Sequence, residues 1–228
     1  MAFVQTSGKL SDNNSTTSPK TFAMPSNFTA GNTAVVSLSY FQSSSNAVSA
    51  ISLSGTAAAR ESQSTDGAGS YVEIWRVQSL AGGSNVISVT SSTSTHFLTL
   101  SVEEWSGVSA VAADIIATPA TGSSTTPGNT YGTLAQANEL VYLAYCDTTG
   151  TAQTSVTPPA GGYTQAWTEL DGATNFGGGG AYKEVSSTAG ASPAFTLSNS
   201  TGWRCVLVTF KLSGGTTFTS RLSLLGVG

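Results

Sequence analysis

Asn32-Thr-Ala-Val-Val-Ser-Leu-Ser-Tyr40 and, further on, Asn138-Glu-Leu-Val-Tyr-Leu-Ala-Tyr-Cys146 decide how this chain is read. In the first stretch Ala34, Val36, Leu38 and Tyr40 share one side of an extended chain, with Ser37 and Ser39 on the other. That is the period-two pattern of a β-strand. The second stretch lines up with the first, and the likeness continues outward. Asp66-Gly67-Ala68 matches Asp171-Gly172-Ala173, Trp75-Arg76-Val77 matches Tyr182-Lys183-Glu184, and Leu98 to Gly107 matches Cys205 to Gly214. A module of about 107 residues is therefore read twice, a period that means a repeated domain or half-domain rather than a short-repeat solenoid.

Alternation continues along the chain, and no stretch holds a helical i, i+3, i+4, i+7 pattern beyond two turns. The first copy predicts strands at 2–6, 20–24, 33–41, 48–54, 57–62, 71–77, 85–90 and 96–105. The second predicts 109–117, 130–134, 139–146, 152–156, 163–169, 180–185, 193–197 and 203–212. Turn residues punctuate them, among them Asp66-Gly67, Ala81-Gly82-Gly83, Pro158-Pro159 and Gly161-Gly162. Residues 7–20 and 118–129 are read as connecting loops, and the tetraglycine 177–180 as a flexible hairpin without the Lys-Ser/Thr ending of a phosphate cradle. The expected fold is all-β: two tandem antiparallel β-sandwiches, jelly-roll or Ig-like, packed together. Their bounds are 1–107 and 108–214, with a tail at 215–228. One larger sandwich built from both copies stays open.

Composition limits the function. The chain has 228 residues, of which 9% are charged and 39% hydrophobic, with 36 Ser and 33 Thr in place of charge. An ordinary soluble domain carries about 25% charged residues. A Ser/Thr/Gly surface fits a protein outside the cytoplasm or packed into a large assembly. A net charge of −4 with eight Lys and Arg offers no basic patch for nucleic acid. No apolar run reaches the roughly 18 residues of a membrane span, and the first residues lack a signal-peptide pattern.

Enzyme readings fail on inventory. His96 is the one histidine, at a strand end, so a Ser–His–Asp triad or a zinc site has little to draw on. Glu103 and Glu104 are neighbours on a strand and point to opposite faces. Glu169 and Asp171 share parity, but Asp171-Gly172 reads first as a turn. Oxygen-rich loops at Asp12-Asn13-Asn14 and at Asp147 lack the spacing of a calcium site. Cys146 is placed toward a core and Cys205 on the opposite side of its strand, which argues against a disulfide. No catalytic, cofactor or metal residues are assigned. Trp75 and Tyr182, on matching strands, are read as core or interface residues. Trp105 and Trp203 are read first as core-packing residues, with an exposed sugar-binding pair as the alternative.

Ala30-Gly31-Asn32, Val72 to Val77, Ala81-Gly82-Gly83 and Glu104-Trp105-Ser106-Gly107-Val108 give an order of strand and turn residues over most of 1–214. That order resembles a β-sandwich family common in bacteriophage structural proteins and related bacterial surface proteins. The resemblance implies a non-enzymatic virion part: an external capsid decoration (cement) protein, or a fibre or spike component on the virion's outer surface. Its partners would be major capsid or tail proteins and further copies of itself, a trimer being the fitting number for a capsid or fibre. Candidate contact residues are Phe3 and Val4 at one end and Leu222, Leu224, Leu225 and Val227 in the tail. The alternative is a carbohydrate-binding or adhesin module for a host surface glycan.

Overall fold

The computed structural model describes residues 2–13, 18–41, 48–91, 97–109, 111–170 and 176–213. His96, Asn14, Asp171 and the tail residues Leu222, Leu224, Leu225 and Val227 lie outside them. Every regular element among the described residues is a β-strand. In the first half these are β1 (Ala2–Thr6), β2 (Leu10–Asn13), β3 (Lys20–Ala23), β4 (Thr33–Phe41), β5 (Val48–Leu53), β6 (Thr56–Ala57), β7 (Ala59–Thr65), β8 (Ser70–Val77), β9 (Val86–Ser91) and β10 (Phe97–Ser106). The second half has β11 (Ala120–Ser124), β12 (Glu139–Asp147), β13 (Val156–Thr157), β14 (Thr164–Leu170), β15 (Gly177–Val185), β16 (Thr196–Leu197) and β17 (Thr201–Lys211).

All pairings among the described strands are antiparallel. A six-stranded sheet runs β1-β10-β4-β8-β7, with β2 also on β10, and a five-stranded sheet runs β11-β17-β12-β15-β14. A four-stranded sheet, β3-β9-β5-β6, covers the outer face of the first, and the short pair β13-β16 lies over the second. The strand orders of the two large sheets follow the same course through their halves of the chain.

Three apolar cores separate the four layers. Val36, Leu38, Tyr40, Trp75 and Leu100 meet Ile51, Leu53, Ile87 and Val89 in the first. In the middle, Val35, Val72, Ile74 and Trp105 of the six-stranded sheet meet Leu140, Tyr142, Trp167, Val206, Val208 and Phe210 of the five-stranded sheet. Val141, Leu143, Tyr145 and Leu207 pack on Leu134, Phe195 and Leu197 in the third. Both large sheets are thus covered on both faces, and a strand so placed is buried along its whole length rather than alternately. All nine residues of β12 are buried, as are the first eight of β4. The chain forms stacked β-sandwiches whose halves share a face.

Several expectations need correcting. The loops expected at 7–20 and 118–129 contain the strands β2 and β11, because Ser- and Thr-rich sequence completes a sheet edge without an apolar alternation to announce it. The expected strands 109–117 and 130–134 are reduced to single bridges such as Ile116↔Val208 and Tyr131↔Ala191. The tetraglycine is no flexible hairpin: Gly177 to Gly180 are buried and open β15. A Cβ at Gly178 would lie 2.8 Å from Tyr145 O and 2.9 Å from Ser39 Oγ. One at Gly180 would collide with Trp167 Nε1 and come within 2.8 Å of Ser37 Oγ. Glycine inside a strand here marks close approach of a neighbouring layer.

The Asp66 turn forms as expected, joining β7 to β8. Asp66 Oδ1 accepts hydrogen bonds from Ala68 N (2.8 Å) and Ser70 N (3.0 Å), and Gly67 takes φ 75°. Asp66→Ala removes both side-chain bonds, and a loss of about 1 kcal/mol is expected. Urea unfolding checks it, and an unchanged midpoint would show that the turn does not need the carboxylate.

Candidate functional site

The acidic side chains come first, because any catalytic or ion-binding role would fall to them. Glu73 on β8 has a fully buried side chain. Its carboxylate accepts from Tyr40 OH at 2.7 Å, from Trp75 Nε1 and from Gln63 Nε2, and Arg60 Nη1 stands 3.2 Å away. Burial pushes the Glu73 carboxyl up from its ordinary value, against the pull of those donors. Glu104 points to the loop before β4: it accepts from Thr29 N (2.8 Å), Asn32 Nδ2 (2.7 Å) and Gln5 Nε2 (2.6 Å). Glu103 points the other way, into the space between the large sheets, and accepts from Thr6 Oγ1 (3.1 Å) and Ser101 Oγ. Burial pushes its carboxyl up to about 7. The two neighbours cannot flank one bond.

Glu169 pairs with Lys9 at 2.9 Å and accepts from Thr99 Oγ1 at 3.2 Å. Asp12 receives Lys20 Nζ at 2.9 Å. Asp147 closes the loop after β12, accepting from Thr149 N (2.7 Å), Gly150 N (3.1 Å), Thr151 N (3.1 Å) and Thr201 Oγ1 (2.6 Å). A carboxylate so engaged stitches its own backbone. Asp147→Ala strands three amides and is expected to cost about 3 kcal/mol, read as a lower melting temperature; an unchanged one would contradict the structural role. Among the described residues no group of three or more His, Cys, Asp or Glu is placed to hold a metal ion.

Both candidate sugar-binding rings are inside. Trp105 is 1% exposed in the middle core and donates from Nε1 to Tyr142 OH at 2.6 Å. Along β10, Leu98, Leu100 and Val102 face the first core, and Trp105 lies on the opposite face, which meets the second large sheet instead of solvent. Trp203, 9% exposed, packs against Gly122, where a Cβ would come within 2.6 Å of its ring, and donates to Ser124 Oγ at 3.0 Å. Neither ring presents a platform. Trp75 packs in the first core, while Tyr182 packs at the rim of the middle one. Cys146 and Cys205 are free and buried, in the middle and third cores on opposite faces of one sheet.

Two surface features remain. β1 ends the strand order of the six-stranded sheet, so its outer backbone edge has no strand beside it among those described. It carries Phe3, 43% exposed, and Val4, 41% exposed, the latter at an irregularity in the pairing with β10. Phe3 stands edge-on to Trp105 at 5.3 Å and stacks on Tyr182 at 6.3 Å. An open groove of about 420 Å³ lies where Lys9 meets Gln165, Thr168, Glu169 and Leu170 of β14. Phe3 and Val4 were legible in the sequence and the groove was not, since its walls, Lys9 and residues 155–170, are about 150 positions apart. Nor were the exposed Val111 and Ile116, which the expected strand 109–117 had concealed. Comparisons with protein-family models, curated proteins and solved structures find no match for this chain.

Proposed function

We propose that the chain is a non-enzymatic building block, an external structural protein of a tailed-bacteriophage virion, either a capsid decoration protein or a fibre or spike component. It works by presenting rigid stacked sandwiches, from two copies of one ancestral module, to neighbouring subunits. Its partners are major capsid or tail proteins and further copies of itself.

The edge strand β1 carries the reading: two large apolar side chains stand exposed on an edge that no described strand pairs, and natural proteins usually shield such edges. Two further observations support it. The acids described above are engaged in holding turns and sheets together. Charge is scarce at 9% of residues, so a large contact face desolvates few ions. No helix among the described residues is long and apolar enough to cross a membrane. The glycan alternative has lost the two residues that recommended it.

Sedimentation velocity over a range of concentrations tests the proposal. A discrete oligomer is expected, closed homo-oligomers being the common outcome of self-complementary surfaces. A monomer at every concentration would reject self-assembly.

A further inference from the structure

We propose, resting on the assembly reading above, that the outer edge of β1 is the seat for segment 216–224 of a second copy of this chain, added as an antiparallel strand. Strand addition supplies main-chain hydrogen bonds to an open edge and side-chain pockets on alternate residues. The segment lies outside the described residues, and its sequence fits that use. Phe218, Leu222 and Leu224 share one parity with Thr216 and Ser220, and Thr217, Thr219, Arg221 and Ser223 are on the other. The two faces at β1 differ in the same sense. Phe3 faces the rings of Trp105 and Tyr182 at the rim of the middle core, whereas Gln5 faces the polar loop, donating to Ser26 O and Asn27 O at 3.3 Å. Seated with Phe218, Leu222 and Leu224 on the Phe3 side, the added strand would extend the middle core over rings now half in water.

The exit of the chain favours a second copy over the same one. Ser213 is tied to Gly107 O by its N (2.9 Å) and its Oγ (2.7 Å), and the residue before Gly107, Ser106, pairs with Ala2. The segment therefore leaves beside the Ala2 end of its own β1. Antiparallel pairing there must begin at the opposite, Thr6 end, about 13 Å along the strand and about 10 Å across two strand spacings. The three steps from Ser213 to Thr216, where the seated segment begins, reach about 10 Å when taut, short of the roughly 16 Å to that end. A neighbour's segment meets no such limit, and a reciprocal exchange gives a two-fold contact.

The test uses two full-length variants and light scattering. Val4→Asp places a charge on the edge, with Val4→Lys as a second form of opposite sign. Leu222→Asp/Leu224→Asp spoils the segment. Unchanged circular dichroism and a single cooperative melting transition show that each variant folds; a lower midpoint is the expected consequence of losing the contact. Each alone is expected to lose half or more of the wild-type mass. Mixing an edge variant with the segment variant is expected to restore a one-to-one complex, joined by the single intact edge and the single intact segment. Folded variants that do not combine overturn the inference. So does a segment variant that keeps the wild-type mass, and that result leaves the assembly reading standing. A wild-type monomer rejects both.

Discussion

Trp167→Ala is expected to lower the unfolding free energy by about 4 kcal/mol, in the range found when a buried aromatic is truncated in a packed core. Trp167 is 2% exposed in the middle core, and its Nε1 donates to Ser37 Oγ at 2.9 Å across the two large sheets. The truncation opens a cavity where the halves meet and leaves the buried Ser37 hydroxyl without this donor. The same indole occupies the space a side chain at Gly180 would need. Gly180→Ala alone should cost about 2 kcal/mol by overpacking. In a Trp167→Ala background the added methyl enters the vacated space, so the double variant should be more stable than the sum of the two losses by about 1–2 kcal/mol. Chemical denaturation of the four proteins gives the cycle. Strict additivity would mean that Trp167 and Gly180 do not share that space.

Glu103 produces the second large effect, and it depends on pH. Its carboxyl is raised from an ordinary 4.5 to about 7 by burial, which outweighs the donors Ser101, Thr6 and Tyr142. The folded protein therefore binds this proton more tightly than the unfolded chain between those values. Its stability is undiminished below pH 4.5, falls as pH rises, and levels off above 7, a total of about 3 kcal/mol from this group. Glu73, also raised by burial, adds a change of the same sign. Glu103→Gln keeps the shape without the ionisation, so its unfolding free energy should vary less between pH 4.5 and 7 than that of the wild type. Equal slopes in the two proteins, or a wild type that gains stability over that interval, would contradict the assignment.

The strands were legible where alternation is strong. The expected 33–41 is observed as Thr33–Phe41, 139–146 as Glu139–Asp147 and 203–212 as Thr201–Lys211. What parity cannot tell is which of two faces is covered. Ser37 and Ser39 lie on the face away from the first core, as the alternation predicts, and Trp105 lies on the matching face of β10. The face itself is buried because a second sheet lies on it. The small Ser side chains and the bare Gly178 and Gly180 are what let that sheet approach, with the Trp167 ring filling the room they leave. Such a fit is made between residues more than a hundred positions apart, so no local window contains it. The edge strands β2 and β11 were missed for another reason: Leu10–Asn13 and Ala120–Ser124 are extended by their neighbour's hydrogen bonds, and their own polar side chains give little sign of it.

The structural role proposed above requires the two halves to act as one body, and the shared middle core joins them. Scanning calorimetry of the full chain tests that most directly. The account predicts a single transition whose calorimetric enthalpy equals its van't Hoff enthalpy, the sign of all-or-none unfolding. Two separable transitions, or a calorimetric enthalpy near twice the van't Hoff value, would show halves that fold independently and would contradict it.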